Sequence, residues 1–239
     1  MKIRPALDEV KTIAAAGGYK VLPVSGEILS DICTPIEALK ILKNVSTHCY
    51  LLESAQPSEK WGRYTFLGLD PKMEITCRNG VMKAEELTFE TQDPSQTLRE
   101  ILAQYKSPRF AELPTFTGGL VGYFAYDYLG YSEPKASAGA QDTENFKDVD
   151  LMLFDQVIAF DNLRQKIVLI VNMPLQPDAL ETNYNKAVLR LQQLAQLLQT
   201  GTQKQEAAGR LLGEATPLFD KAAYCAMVEK AKHAIHEGE

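Results

Sequence analysis

The chain has 239 residues, of which 45% are hydrophobic and 12 are proline, so it is long and apolar enough to fold as one large or two small domains. Its net charge of -6 and sequence pI near 5.3, with lysine and arginine scattered between acids, argue against a nucleic-acid partner. No apolar run approaches the ~20 residues of a membrane helix, and the opening MKIRPALDEV lacks the apolar segment of a secretory signal, so we expect a cytoplasmic protein with no membrane partner.

Local signals in the first half of the chain predict helices alternating with short strands. Residues 6–16 have helical composition and end at Gly17-Gly18, a pair that can take the left-handed conformation closing a helix. The segment TPIE at residues 34–37 combines a capping box with proline at the first helical position, and it opens an amphipathic helix through residue 43. The dipeptide Asn79-Gly80 favours a tight hairpin between antiparallel strands. We also expect strands at residues 19–24, 48–52, 63–67 and 72–78.

The rest of the chain, from residue 93, is predicted to contain two amphipathic helices and three strands before its last segment. Asp93-Pro94 starts a helix whose apolar stripe we expect to lie in the core: Leu98, Ile101, Leu102 and Tyr105. Strands are predicted at residues 118–126, 151–160 and 166–172, and the apolar composition of the last two indicates central strands covered on both faces. A long amphipathic helix at residues 179–199 is followed by GTQKQEAAG at 201–209, the best linker candidate, and by a final helix at 221–237.

The stretch LLESA at residues 51–55 is the strongest candidate for a binding site. An amino-acid ligand needs an anionic acceptor, a neutral hydrogen-bonding group and an apolar wall in one place, and Glu53, Ser54 and the preceding leucines could supply all three. Neighbouring strand residues point to opposite faces, so Glu53 and Ser54 can share a ligand only if the strand ends or bulges there. Gln56, Pro57 and Ser58 indicate such an ending. An ordinary polar strand end is the alternative, and a lone Glu-Ser pair does not decide between them.

No other group of residues forms a convincing active site. The three histidines complete neither a nucleophilic triad nor a metal ligand set: His48, His233 and His236. The four cysteines lie far apart without a CxxC pair, which favours reduced thiols over disulfides or a zinc site: Cys33, Cys49, Cys77 and Cys225. The residues alone therefore predict a small-ligand pocket in a regulatory or scaffolding part.

The glycine-rich segment GGLVG at residues 118–122 is not expected to bind phosphate. It lacks both phosphate-loop spacings and leads into a strand, where glycine more often marks close approach of another backbone or a bulge. We expect the aromatic run that follows to be core packing, because no basic residue interleaves with it: Tyr123, Phe124, Tyr126 and Tyr128.

Three stretches in this order resemble one known family. They are LLESA followed by GRYTFLGLDP at residues 62–71, GGLVGYFAYDYLGYSEP at 118–134, and DVDLMLFDQVIAFDNLRQKIVLIVN at 148–172. Together they are similar to the amino-terminal half of anthranilate synthase component I, a chorismate-using enzyme of tryptophan biosynthesis. The match covers most of residues 19–172.

The resemblance implies a fold, a domain organisation and a regulatory site. The family fold is α+β, an antiparallel β-sheet sandwich flanked by helices, of which this chain would hold the amino-terminal half and thus remain incomplete. We expect an amino-terminal regulatory domain at 1–200, a linker at 201–218, and the first helix of a truncated chorismate-binding domain at 219–239. In the family the LLES segment forms part of the feedback site for L-tryptophan, and the matching residues here are Leu52, Glu53 and Ser54. This implication favours the binding-site interpretation of Ser54.

The resemblance also implies a reaction, a metal and a partner for the complete protein. The family enzyme is a lyase that converts chorismate and ammonia to anthranilate and pyruvate, with Mg²⁺ held by carboxylates of the chorismate-binding region. Ammonia comes from a separate glutamine amidotransferase subunit, component II. The catalytic residues and metal ligands would lie beyond Glu239, so we expect none in this chain and no turnover by this chain alone.

Two other interpretations stay open at this stage. Aminodeoxychorismate synthase component I shares the fold and a similar amino-terminal half, although LLESA followed by GRYTFLG and GYFAYDY favours the anthranilate enzyme. A non-catalytic amino-acid-binding module is the alternative from another class of protein.

Overall fold

A computed structural model describes residues 1–54, 62–133, 135, 144–205 and 207–238. The chain divides into two compact units, Met1–Lys204 and Gln205–Glu239. Within the described ranges the first unit holds these strands: β1 Ile3–Arg4, β2 Val21–Leu29, β3 Cys49–Leu52, β4 Tyr64–Leu69, β5 Met73–Arg78, β6 Val81–Ala84, β7 Leu87–Glu90, β8 Gly119–Phe124, β9 Val149–Phe154, β10 Gln156–Asp161 and β11 Lys166–Pro174. Its helices are α1 Leu7–Ala16, α2 Pro35–Val45, α3 Pro94–Ala103, α4 Leu129–Ser132 and α5 Leu180–Thr200. The second unit contains α6, Lys221–Glu237.

The strands form two antiparallel sheets. The six-stranded sheet has the order β1-β2-β11-β10-β4-β3, and the five-stranded sheet has the order β7-β6-β5-β9-β8. The chain passes from one sheet to the other twice, from β4 to β5 and from β9 to β10, and the second crossing uses the single residue Asp155. The strand predicted at residues 151–160 is therefore two strands in different sheets, a division that the nearly continuous apolar sequence conceals.

The main core lies between one face of the six-stranded sheet and three helices. Side chains of β2, β4, β10 and β11 pack there against α1, α2 and α5, with Leu169 and Leu191 fully buried. The opposite face of β10 and β11 carries a smaller cluster that includes Val157 and Ile170. These two strands are thus covered on both faces, which confirms the prediction for β10 and β11; the predicted strand at residues 151–160 also includes part of β9, where Met152 is only partly buried.

The five-stranded sheet has its own core beneath α3. Ile75, Met82 and Leu151 pack there with Leu98 of the helix. The predicted apolar stripe of α3 is only partly buried, because Leu98 is 6% exposed whereas Leu102 is 44% exposed. The prediction that the whole stripe lies in the core was wrong, since the helix covers the sheet only as far as its last turn.

Short-range sequence signals are reproduced closely by the structure. Thr34 accepts a hydrogen bond from the Glu37 backbone N–H at 3.3 Å, while the Thr34 backbone N–H donates to Glu37 Oε2 at 2.8 Å, so the capping box is present. Asn79 and Gly80 both have positive φ and join β5 to β6. Helix α6 has the predicted bounds. Strand β7 was not predicted, although its sequence LTFE alternates apolar and polar residues, because four residues are a short stretch for recognising that alternation.

The observed fold class is the predicted one. The chain is α+β, with antiparallel sheets flanked by helices. In the parts of the chain that the structure describes, no helix is long and apolar enough to cross a membrane.

Candidate ligand-binding segment at a sheet edge

Strand β3 carries the predicted segment and lies at the edge of the six-stranded sheet. It pairs with β4 on one side, where Leu51 lies opposite Leu67 and Leu52 opposite Phe66. The strand ends at Leu52. Because Glu53 and Ser54 follow the last strand residue, strict alternation no longer directs their side chains to opposite faces. The condition for both residues to share one ligand is therefore met.

The three predicted residues lie together at the surface. Leu51 packs against the main core, whereas Leu52 is 48% exposed, and Glu53 and Ser54 are exposed. The residues predicted to end the strand, Gln56, Pro57 and Ser58, lie outside the described residues. An exposed leucine, a carboxylate and a hydroxyl are the three kinds of group that the sequence argument required for an amino-acid ligand.

The described cavities do not include this segment. One lies between α3 and strands β8 and β9, two follow the chain around residues 105–119, and one lies beside β1 and β2. Leu52, Glu53 and Ser54 line none of these four cavities, and within the described part of the chain all three are exposed.

Aromatic side chains next to the segment were not identified from the sequence. The Tyr50 ring packs edge-on against Phe154 with centroids 4.7 Å apart, and Phe66 packs against Phe116 at 5.6 Å. A side chain at Gly68, which pairs with Tyr50, would collide with the Tyr50 ring. The glycine in the strand sequence YTFLGL was the available signal for this close approach.

The Tyr50 hydroxyl is buried and has no hydrogen-bond partner among the described residues. Burial raises the pKa of this hydroxyl, because the phenolate would lose its hydration. Tyr50 and Leu52 are two residues apart on one strand and so share a face. The ring consequently anchors β3 from the face on which Leu52 lies.

Two of the three histidines lie near a glutamate at the surface. His48 Nε2 is 3.2 Å from Glu74 Oε1, and His233 Nδ1 is 4.0 Å from Glu237 Oε1, with all four side chains exposed. Across the described ranges no three or more His, Cys, Asp or Glu side chains are grouped so that they could hold a metal ion.

The glycine-rich segment forms strand β8 and close contacts between backbones, as predicted. At Gly122, with φ of 155°, an added Cβ would collide with the carbonyl of Asp150 on the paired strand β9. At Gly118 it would lie 2.6 Å from Asn172 Nδ2. These glycines let β8 lie close to its neighbours.

The aromatic run after these glycines differs from its prediction. Tyr128 packs against the core of the five-stranded sheet, but Tyr123, Phe124 and Tyr126 are exposed. The prediction of core packing was wrong for these three, because β8 is an edge strand and the chain leaves the sheet after it. Position within a sheet is not encoded in the local pattern.

Comparison with known proteins identifies the class of protein. A family model described as chorismate binding enzyme matches residues 47–239, a range that includes the β3 segment and most of the chain. The chain belongs to the chorismate-binding enzyme family.

Three relatives of the chain are named anthranilate synthase component 1. Anthranilate synthase component 1 of Acetivibrio thermocellus is 31% identical over 98% of this chain and 49% of its own length. The protein of that name from Acinetobacter calcoaceticus is 35% identical over 93% of this chain and 46% of its own length. The protein from Pseudomonas aeruginosa is 37% identical over 77% of this chain and 38% of its own length. The resemblance stated above is thus confirmed, and the chain spans about half the length of the curated relatives it matches.

The chain was also matched to a solved structure. Anthranilate synthase component I from Streptococcus pneumoniae TIGR4 has a TM-score of 0.47 and 27% sequence identity to the chain, and the match covers 88% of this chain and 45% of that one.

Proposed function

We propose that this chain is the amino-terminal, regulatory part of an anthranilate synthase component I. The complete protein would convert chorismate and ammonia to anthranilate and pyruvate, and this part would bind L-tryptophan as a feedback inhibitor. The single observation that carries the regulatory role is the end of β3 at the sheet edge, which leaves Leu52, Glu53 and Ser54 side by side and exposed. Similarity to proteins named anthranilate synthase component 1 supports the assignment of the reaction.

The chemistry of the segment matches a zwitterionic aromatic amino acid. The Glu53 carboxylate would accept hydrogen bonds from the ligand ammonium, and the Ser54 hydroxyl would donate to a ligand oxygen. Leu52 offers an exposed apolar surface for the indole ring, beside the aromatic side chains around Tyr50. The open side of the segment would be closed by the half of the protein that this chain does not span.

The metal and the ammonia source belong to the same proposal. The described residues do not fit Mg²⁺, because they offer no cluster of carboxylates. The Mg²⁺ ligands and the acid/base residues would therefore lie in the other half of the protein, and a glutamine amidotransferase subunit would supply ammonia. This chain alone would not turn over chorismate.

The test is Ser54→Phe in the complete enzyme. The larger side chain fills the space beside Glu53, so tryptophan inhibition should fall at least about tenfold, as expected when a ligand is excluded from its contacts. Turnover of chorismate with ammonia should stay within about twofold of the unaltered enzyme, because this surface is separate from the reaction site. Ser132→Phe, at another exposed serine, serves as the control.

The outcomes separate the alternatives. Lost turnover with intact inhibition would overturn the regulatory assignment. Product analysis distinguishes anthranilate from aminodeoxychorismate, since the second product keeps the enolpyruvyl group. Calorimetry with tryptophan on the 239-residue chain tests the non-catalytic binding module, for which a micromolar Kd corresponds to about -8 kcal/mol.

A further inference from the structure

One of the described cavities lies far along the chain from the β3 segment, between α3 and strands β8 and β9. Its volume is about 460 Å³, which falls within the usual range of small-molecule sites. The buried side chains of Leu98 and Leu151 contribute to its lining, together with Leu120 of β8. The inner surface of the cavity is therefore aliphatic, and buried side chains lie behind it.

Aromatic and aliphatic side chains at this cavity face water. Phe124 is 50% exposed and Leu102 is 44% exposed, although both line an apolar cavity. The rings of Phe124 and Tyr128 pack edge-to-face, with centroids 4.8 Å apart and an interplanar angle of 68°. A flat ring inserted here would gain both apolar burial and edge-to-face contact.

Polar groups lie together at one corner of the cavity. Ser95, Arg99 and Tyr128 line it, and the Tyr128 hydroxyl interacts with the charge of Asp93, with Ser95 and with the charge of Arg99. Among the described residues Arg99 forms no ion pair, but its charge adds to the hydrogen bonds from Ser95 and Gln96 in lowering the pKa of the Asp93 carboxyl. The nearby Asp93 carboxylate accepts hydrogen bonds from Ser95 Oγ at 2.5 Å and from the Gln96 backbone N–H at 3.2 Å, so it is engaged in capping α3.

We propose that this cavity binds a small aromatic monocarboxylate, with its ring against Phe124 and Tyr128 and its carboxylate at Arg99. The lining carries one formal charge, which is positive, and the guanidinium fork suits a carboxylate. A ligand ammonium would find no carboxylate in the lining, so the cavity differs from the β3 segment in the charge it accepts. The inference does not depend on the proposed tryptophan site.

The experiment uses the full 239-residue chain with ¹³C-labelled leucine methyl groups. The probe is indole-3-acetate, and tryptamine is the matched cation with a similar indole ring and side-chain length. We expect saturable methyl shifts at Leu98, Leu102 and Leu120 with a Kd below about 1 mM, and binding of tryptamine at least about tenfold weaker.

Two variants test the assigned contacts. Arg99→Gln removes the charge at similar length and should weaken indole-3-acetate binding about tenfold, the effect of losing a charge-assisted hydrogen bond. Phe124→Ser removes the exposed ring and should weaken binding by a similar factor. Arg210→Gln, at an exposed arginine of the second unit, is the charge-matched control and should leave the Kd unchanged.

Three results would overturn the proposal. The first is equal binding of tryptamine, and the second is a shift of the Leu51 and Leu52 methyl groups in place of those at the cavity. The third is concentration-dependent dimerisation abolished by Leu102→Glu, which would make a second copy of the chain the occupant. Ser54→Phe should leave indole-3-acetate binding unchanged, so failure of the tryptophan proposal remains distinguishable.

Discussion

The ion pair between Arg63 and Asp161 fixes the end of the six-stranded sheet, and its removal should destabilise the fold. Asp161 is 3% exposed and accepts hydrogen bonds from Arg63 Nε at 3.0 Å, Arg63 Nη2 at 2.6 Å and the Arg164 backbone N–H at 3.1 Å. Its partner across the ladder is Tyr64 of β4. The pair thus joins the start of β4 to the end of β10.

Asp161→Ala leaves an uncompensated and largely buried guanidinium. Breaking a buried pair from one side costs about 3–5 kcal/mol, and we expect the lower end because Arg63 is 23% exposed and so partly solvated by water. A loss of about 3 kcal/mol corresponds to a decrease in Tm of roughly 6–12 °C for a domain of this size. Urea denaturation followed by circular dichroism measures the loss directly.

The double variant with Arg63→Ala tests whether the pair itself is responsible. Its cost should fall short of the sum of the two single costs by about 1.5–3 kcal/mol, because the second substitution removes a group already unpaired. Glu27→Ala is the matched control, since it breaks the exposed Lys166–Glu27 pair on the same sheet and should cost less than about 1 kcal/mol. Additive single costs within about 0.5 kcal/mol would refute the argument.

The pair also gives stability a pH dependence of known sign. Burial raises the pKa of Asp161, but the hydrogen bonds from Arg63 and the Arg164 amide outweigh it and hold the pKa below its usual 3.8. A carboxyl whose pKa is lower in the folded state contributes stability that is present above the unfolded pKa and lost as pH falls through the folded pKa. The difference in stability between Asp161→Ala and the unaltered chain should therefore shrink as the pH falls below 3.8.

Three further substitutions test single features of the structure. Tyr131→Phe removes the hydroxyl that donates to Asp148 Oδ2 at 2.7 Å and should cost about 2 kcal/mol in urea denaturation; no measurable loss would contradict that contact. Gly122→Ala should cost about 3 kcal/mol or prevent folding because its Cβ meets the paired backbone, whereas Gly209→Ala, in open space, should leave the thermal transition unchanged. Tyr50→Phe removes a buried hydroxyl without a described partner and should raise stability by about 1 kcal/mol, and a loss of stability would show that the hydroxyl has a partner.

The parts of the fold predicted correctly are those that depend on a few neighbouring residues. A capping box such as that of Thr34 and Glu37 and a turn such as Asn79-Gly80 satisfy their own backbone groups locally, so their sequence is sufficient to identify them. The crossing at Asp155 is different. Two adjacent polar residues, Asp155 and Gln156, in a long apolar run do not reveal that β9 and β10 belong to different sheets, because that depends on which strands they pair with.

Exposure was harder to predict than secondary structure for the same reason. Leu102 and Phe124 have core-like sequence contexts, yet both face water because α3 ends and β8 is an edge. An apolar pattern shows which side chains prefer burial, whereas the covering element decides whether they are buried. The cavity that these two residues line could not have been read from either segment alone.

The β3 segment combines both kinds of information. The strand end at Leu52 is local and was predicted, whereas the ring of Tyr50 over Gly68 brings together residues from two strands. Pairing with β4 and this ring contact hold β3 on two sides, so the backbone that leads into Glu53 and Ser54 starts from a fixed position. A ligand at these residues would need to order few backbone torsions, which lowers the entropic cost of the binding proposed above.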